Sequence, residues 1–192
     1  RQALGPEMLG SALDKGNRRF EFICNIDPDE IHSQLKNLII DETLFYFVSK
    51  SGGTAETMAI FSIISNWLIQ KGHKTKSFCE HFVFATDPLE SDLLTLGQEL
   101  GVTCLEVPTN VGGRFSVLSP VGLFPALFAD IDVDSLLAGA ESVKKTILNP
   151  NLSENSLLKL SEFILSQKKL GINQTVMMPY SSKLKDFSAW FV

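Results

Sequence analysis

Cysteine, histidine, basic charge and long apolar runs are all scarce in this chain of 192 residues, and each scarcity removes a class of function. Three cysteines, Cys24, Cys79 and Cys104, are odd in number, widely spaced and set in apolar stretches. They read as reduced thiols and not as a disulfide framework or a cysteine-rich metal centre. Of the three histidines, His32 lies on a solvated helix face, His73 follows a helix stop and His81 precedes a strand. No pair has metal-ligand spacing, so neither a metal nor a cofactor is expected. Lys and Arg total 17 against 22 Asp and Glu, a net charge of −5. Nucleic acid and anionic membrane are therefore not expected as partners, because both require a basic surface. The longest apolar runs, Leu44–Val48 and Val121–Ala129, are too short to span a bilayer, and no signal peptide is visible. A cytoplasmic location is the expectation.

What is present is the composition of an ordinary globular protein, 44% hydrophobic and 20% charged. Its length allows one full domain and the beginning of another. Strand-like and helix-like stretches alternate. Phe20–Cys24 reads as a strand. Asp27-Pro28-Asp29-Glu30 then offers a cap, a first-turn proline and a capping box for a helix burying Ile31, Leu35, Leu38 and Ile39. Thr43–Val48 is apolar on consecutive positions, as in a parallel strand covered on both faces. A helix from about Thr54 to Lys71 is apolar around much of its circumference, and deep packing is expected. Phe82–Thr86 reads as a strand, Asp87-Pro88-Leu89-Glu90 as the start of a helix ended by Gly101, and Val102–Val107 as a further strand. Four strands alternating with helices predict an α/β fold with a doubly wound parallel sheet and ligands at the carboxyl ends of the strands. Past Asp132, helices are expected over Asp134–Leu148 and Ser153–Leu170, then a strand over Gln174–Pro179.

Two segments carry chemistry. In Phe45-Tyr46-Phe47-Val48-Ser49-Lys50-Ser51-Gly52-Gly53-Thr54-Ala55-Glu56-Thr57, a buried strand stops in a hydroxyl- and glycine-rich turn that opens into a helix. The first-turn N–H groups of that helix, with hydroxyls beside them, can bind phosphate without a wall of lysines. An ordinary βα loop in which Thr54 or Ser51 merely caps the helix accounts for the same residues. The second segment is Gly112-Gly113-Arg114-Phe115-Ser116-Val117-Leu118-Ser119-Pro120, where an arginine follows two glycines ahead of an apolar helix begun by Ser119 and Pro120. A charge in that setting calls for an anion, either a ligand or an acidic side chain such as Glu106 or Asp130.

Taken together, the two segments resemble the glucose-6-phosphate isomerase family. Its sugar-isomerase (SIS) domain carries a Ser-Lys-Ser/Thr-x-x-Thr-x-Glu phosphate loop and a downstream Gly-Gly-Arg-Phe/Tyr-Ser run. Met178-Pro179-Tyr180-Ser181-Ser182-Lys183-Leu184-Lys185-Asp186-Phe187 is similar to the start of the second SIS domain in bacterial members. The resemblance implies an SIS-type αβα sandwich lacking its N-terminal strand over 1–131, a helical connection over 132–172 and a truncated second domain over 173–192. Arg1-Gln2-Ala3-Leu4-Gly5-Pro6 sits where the family has a strand, a Gly-Gly-Ser turn and Leu-Gly-Pro, so the chain is expected to be an internal piece. It further implies a catalytic Glu, a His and a Lys beyond Val192, so that the piece alone is inactive.

By the same resemblance, the substrate is a sugar phosphate interconverted between glucose 6-phosphate and fructose 6-phosphate through an enediol(ate), without a cofactor. The full-length enzyme is expected to be a homodimer. Ser49, Lys50, Ser51, Gly52, Gly53 and Thr54 are implied to hold the phosphate, Gly113 to lie beside the substrate and Arg114 to act in catalysis. Another phosphosugar isomerase, acting for example on mannose 6-phosphate, and a non-catalytic SIS sensor are the alternatives. A sensor would have no need of the Arg114 segment.

Overall fold

The computed structural model describes residues 3–73 and 79–191. Eight helices are found among them: α1 (Leu4–Leu13), α2 (Pro28–Leu35), α3 (Ala55–Gln70), α4 (Asp92–Leu100), α5 (Pro120–Phe128), α6 (Val133–Ile147), α7 (Ser156–Lys169) and α8 (Lys185–Phe191). Three strands, β1 (Phe45–Val48), β2 (Phe82–Thr86) and β3 (Thr103–Glu106), form a parallel sheet in the order β1-β2-β3. Phe45 is in register with Phe82, and Phe84 with Cys104. The protein is therefore α/β, as the alternation predicts, with three strands where four are expected. No helix of the described residues is long and apolar enough to cross a membrane.

Strand alternation gives the sheet two different faces. Phe45, Phe47, Phe82 and Phe84 pack with Ile31 and Leu35 of α2, Ile60, Phe61, Ile64 and Leu68 of α3, and Leu93 of α4. Phe47 meets Phe61 and Phe84 edge to face, with ring centroids 5.5 and 5.9 Å apart. Tyr46, Val48, Ala85 and Leu105 line the other face, against Val107 and Val121 of α5. Each fully buried phenylalanine contributes about 1.5–3 kcal/mol, so the aromatic face is the principal core. Gly97 lets α4 lie close on it, since a Cβ there would stand 2.4 Å from Cys104 Sγ and 3.1 Å from the Phe84 ring. A smaller cluster of Leu9, Ala126, Ala129 and Ile131 joins α1 to α5.

Helix starts follow their caps. Asp27 accepts from the N–H groups of Asp29 and Glu30, both at 3.0 Å, with Pro28 in the first turn. Ser119 precedes Pro120 at α5. Asp132 accepts from Ser135 N–H at 2.9 Å and Ser135 O–H at 2.7 Å, which holds its carboxyl below the usual range. Buried Asn155 caps α7 through Leu158 N–H and donates to the carbonyls of Ile147 and Asn149, so α6 and α7 are joined as a hairpin.

Several expectations are corrected. Phe20–Cys24 forms no strand; the Phe22 carbonyl takes the side-chain amide of Gln34 instead. Gln174–Pro179 is likewise no strand, for no neighbour supplies ladder bonds and Val176 and Met178 are exposed. Asp87 does not begin a helix: its carboxylate accepts from Leu89 N–H in a local turn, Leu89 is exposed, and α4 starts four residues later under Ser91. α2 ends at Leu35, which leaves Ile39 exposed. α3 buries one face only, and Ile63 and Ile69 stay exposed. Cys24 is exposed although its sequence neighbours are apolar. The final helix α8 packs on α1, and Ser11 Oγ reaches the Lys183 carbonyl. Arg1, Gln2 and Val192 lie outside the described residues.

Candidate active site at the carboxyl end of the sheet

The turn after β1 is locked from several sides. Ser49, buried, hangs on the sheet through its N–H to the Ala85 carbonyl at 3.1 Å, and its hydroxyl pairs with that of Thr54 at 2.9 Å. Thr86, at the end of β2, donates to the Ser49 carbonyl at 2.6 Å and shares a short contact with Ser91 Oγ. Gly52 has a left-handed backbone, φ 72°, and its position admits no side chain: a Cβ would stand 2.0 Å from Ser91 Oγ and 2.6 Å from Asp92 N. Only glycine satisfies both requirements there. Ser51, Gly53 and Thr54 face solvent.

Thr54 occupies the cap position of α3, yet its hydroxyl accepts from none of the first-turn N–H groups. The capping explanation for this threonine therefore fails, and the helix start is left open toward solvent. An anion arriving there meets N–H groups at the positive end of the helix dipole together with the exposed hydroxyls of Ser51 and Thr54. Asp92 sets a limit on this field, because its Oδ2 would lie 2.9 Å from a Cβ on Gly53.

Lys50 is engaged by the neighbouring loop. Its ammonium donates to the carbonyls of Thr109 and Val111, both at 2.7 Å, and so clasps the loop that leads into the Gly-Gly-Arg run. The two sequence motifs, some sixty residues apart, are thereby tied side by side. Within the second, Gly113 opens a 3-10 turn, Gly113–Leu118. Buried Ser116 donates to the Gly113 carbonyl, and Ser119 to the Ser116 carbonyl, each at 2.7 Å. Tyr46 of β1 donates to the Pro120 carbonyl at 2.7 Å, and burial pushes its phenol pKa up, which keeps the donor protonated.

Arg114, expected to sit beside an anion, is exposed. Among the described residues it has no hydrogen-bond or ion-pair partner. Asp130, one of the two carboxylates that could have held it, accepts from Asn17. The salt-bridge alternative is therefore absent from this structure. Thr86, Ser91 and Asp92, which shape the loop, escape sequence analysis; the one hint is a threonine closing an otherwise apolar strand. The thiols stay apart from this chemistry: burial raises Cys79 and Cys104, and Cys24, although its residue is exposed as a whole, is pushed up to about 11 by desolvation of its sulfur and by the Glu7 carboxylate it faces.

A family model described as phosphoglucose isomerase matches residues 2–192. Glucose-6-phosphate isomerase of Thermus thermophilus is 39% identical over 190 residues, 99% of this chain and 45% of that protein. The enzyme of Carboxydothermus hydrogenoformans is 38% identical, with 98% and 43% covered. The chain thus spans somewhat less than half the length of these curated relatives. A crystal structure of a hypothetical protein from Thermus thermophilus superposes with a TM-score of 0.92 at 39% identity, covering 100% of this chain and 45% of that one. A glucose-6-phosphate isomerase structure from Chlamydia trachomatis gives 0.85 at 29%, with 98% and 37% covered.

Proposed function

This chain belongs to the phosphoglucose isomerase family, and from that premise we propose that it supplies the phosphate cradle and the cationic arm of an enzyme interconverting glucose 6-phosphate and fructose 6-phosphate. The observation that supports the proposal is the Lys50 clasp, in which the ammonium of the turn before α3 bonds the Thr109 and Val111 carbonyls of the loop leading to Arg114. In this reading the phosphate of the sugar sits against the N–H groups of the Gly52–Thr54 turn and α3, with the hydroxyls of Ser51 and Thr54 completing its shell. Ser49 orients Thr54, and Lys50 positions the neighbouring loop.

Aldose–ketose exchange moves a proton between C2 and C1 and passes through an enediolate. Negative charge on its oxygens appears only in the intermediate and its flanking transition states. In this reading Arg114, without a partner among the described residues, supplies the compensating positive charge there. Its freedom from any carboxylate among the described residues favours this role over a structural one. The proton shuttle itself is assigned to no residue of this chain.

The test is binding. Fructose 6-phosphate, titrated into the chain and followed by amide NMR, is expected to shift Ser51, Gly53 and Thr54. Thr54→Val is expected to lower affinity by about 1–3 kcal/mol, roughly 5- to 150-fold, the range for one charge-assisted hydrogen bond. Silent amides together with unchanged affinity in the variant, with circular dichroism confirming an intact fold, would remove the phosphate role.

A further inference from the structure

At the amino end of the sheet, opposite the candidate active site, three side chains from separate parts of the sequence converge. Asp41 sits in the 3-10 turn Ile40–Glu42 that leads into β1, His73 follows the end of α3, and His81 closes the turn Cys79–His81 that leads into β2. One carboxylate oxygen and one nitrogen from each imidazole all lie within 4.8 Å of one another. The two rings meet edge to face with centroids 5.4 Å apart.

Their backbones are held in place. Glu42 N–H bonds the Ile39 carbonyl at 3.0 Å and Thr43 N–H that of Ile40 at 2.9 Å, which fixes the Asp41 turn. His73 N–H returns to the Leu68 carbonyl at 3.1 Å past Gly72, φ 95°. His81 Nδ1 stands 3.0 Å from the Thr43 carbonyl. A ring nitrogen facing a carbonyl carries the proton, so Nε2 is left as the lone-pair nitrogen. Such a bond from the non-ligating nitrogen is the usual companion of a metal-bound histidine.

We propose that Asp41, His73 and His81 form a binding site for a divalent transition-metal ion, zinc first among them. Two imidazoles and a carboxylate suit zinc at bond lengths of about 2.0–2.2 Å, with water in the fourth position. Asp41 and His73 line a cavity of about 360 Å³, which gives an ion and its water room to enter. His32, Lys36 and Lys71 line the same cavity and disfavour a loosely held hard cation such as Mg²⁺. An ion held by directional nitrogen bonds is the kind that withstands such neighbours. To bind it, the donor atoms must draw in to about 3.4 Å of one another, the edge of a tetrahedron with those bond lengths, which is a matter of side-chain rotation. The bound ion would cross-link the starts of β1 and β2 to the end of α3. The proposal stands independently of the sugar-phosphate reading, being at the other pole of the sheet.

Zinc chloride titrated calorimetrically into the full chain, with thiols kept reduced, is expected to bind one ion per chain. It should raise Tm by about 5–10 °C at a hundredfold excess over Kd. His73→Gln and His81→Gln should each weaken binding at least tenfold. Cobalt(II) in place of zinc should show ligand-field bands without a thiolate-to-metal charge-transfer band. No heat and no Tm rise in the wild type, an equal effect in the His73→Gln/His81→Gln double variant, or a thiolate charge-transfer band would each overturn the proposal. Should a histidine variant fail to fold, Asp41→Asn at an exposed position decides: a tenfold or greater loss supports the site, and unchanged affinity refutes it.

Discussion

The Ser49–Thr54 turn and the Gly112–Ser119 segment stand side by side at the end of one sheet, yet they are built on opposite plans. In the first, hydroxyls satisfy one another and the backbone, a left-handed glycine is wedged against α4, and its one cation is turned away to the neighbouring loop. In the second, the flanks are pinned through Ser116, Ser119 and Tyr46 while Arg114 and Phe115 project into solvent. Rigidity and charge are thus allotted to different loops. In the proposed reading, a pre-formed cradle of N–H groups would bind an anion without reorganising, and an exposed cation without a partner among the described residues would be free to meet charge that appears only during reaction.

The largest effect expected from breaking this division is at Arg114. In the full-length enzyme, Arg114→Ala should lower kcat by a factor on the order of 10²–10³ with a smaller change in KM, and shift Tm by no more than about 1 °C, since the side chain has no partner among the described residues. Steady-state kinetics per folded molecule checks this, and a kcat within about twofold of wild type would end the catalytic assignment. Next comes Gly52→Ala, where left-handed strain and a collision with the start of α4 coincide. A loss of about 3 kcal/mol is expected, visible as a Tm lower by roughly 6–12 °C in a thermal melt. A melt unchanged by this substitution would show the turn to be far more yielding than its contacts imply.

Lys50→Met sharpens the comparison, because it cuts the link between the two loops while keeping the aliphatic stem. About 1–2 kcal/mol is expected, as a roughly tenfold fall in kcat through misplaced Arg114, with phosphate affinity little changed. If affinity for inorganic phosphate falls as far as in Thr54→Val, Lys50 is a ligand after all and the clasp is incidental. Phe115→Ser should have the smallest effect, under about 0.5 kcal/mol by chemical denaturation, because the ring is 75% exposed.

Much of the scaffold was legible in the sequence wherever the determining contacts are local. Asp27-Pro28, Ser119-Pro120 and Gly101 mark helix ends by hydrogen bonds and dihedral limits that reach only three or four residues. The core strands β1 and β2 announce themselves as apolar runs, whereas β3 is Thr-Cys-Leu-Glu with both ends exposed. Phe20–Cys24 and Gln174–Pro179 have equal claim by composition and fail, since a strand exists only when another supplies its ladder. Asp87 and Ser91 are both competent caps. Ser91 prevails at α4, and in that place its hydroxyl also meets Thr86 and the wedge of Gly52.

The same division runs through the candidate site. Sequence alone determined the hydroxyl-glycine turn opening into α3 and the Gly-Gly-Arg run ahead of α5, because each is a continuous segment whose chemistry is written in neighbouring residues. Tertiary structure alone decided that Lys50 braces a loop, that Thr54 does not cap its helix, that Arg114 has no carboxylate partner among the described residues, and that Asp41, His73 and His81 converge. Each of these depends on which atoms meet across dozens of residues. Packing of a two-faced sheet sets such distances, and no local propensity encodes them.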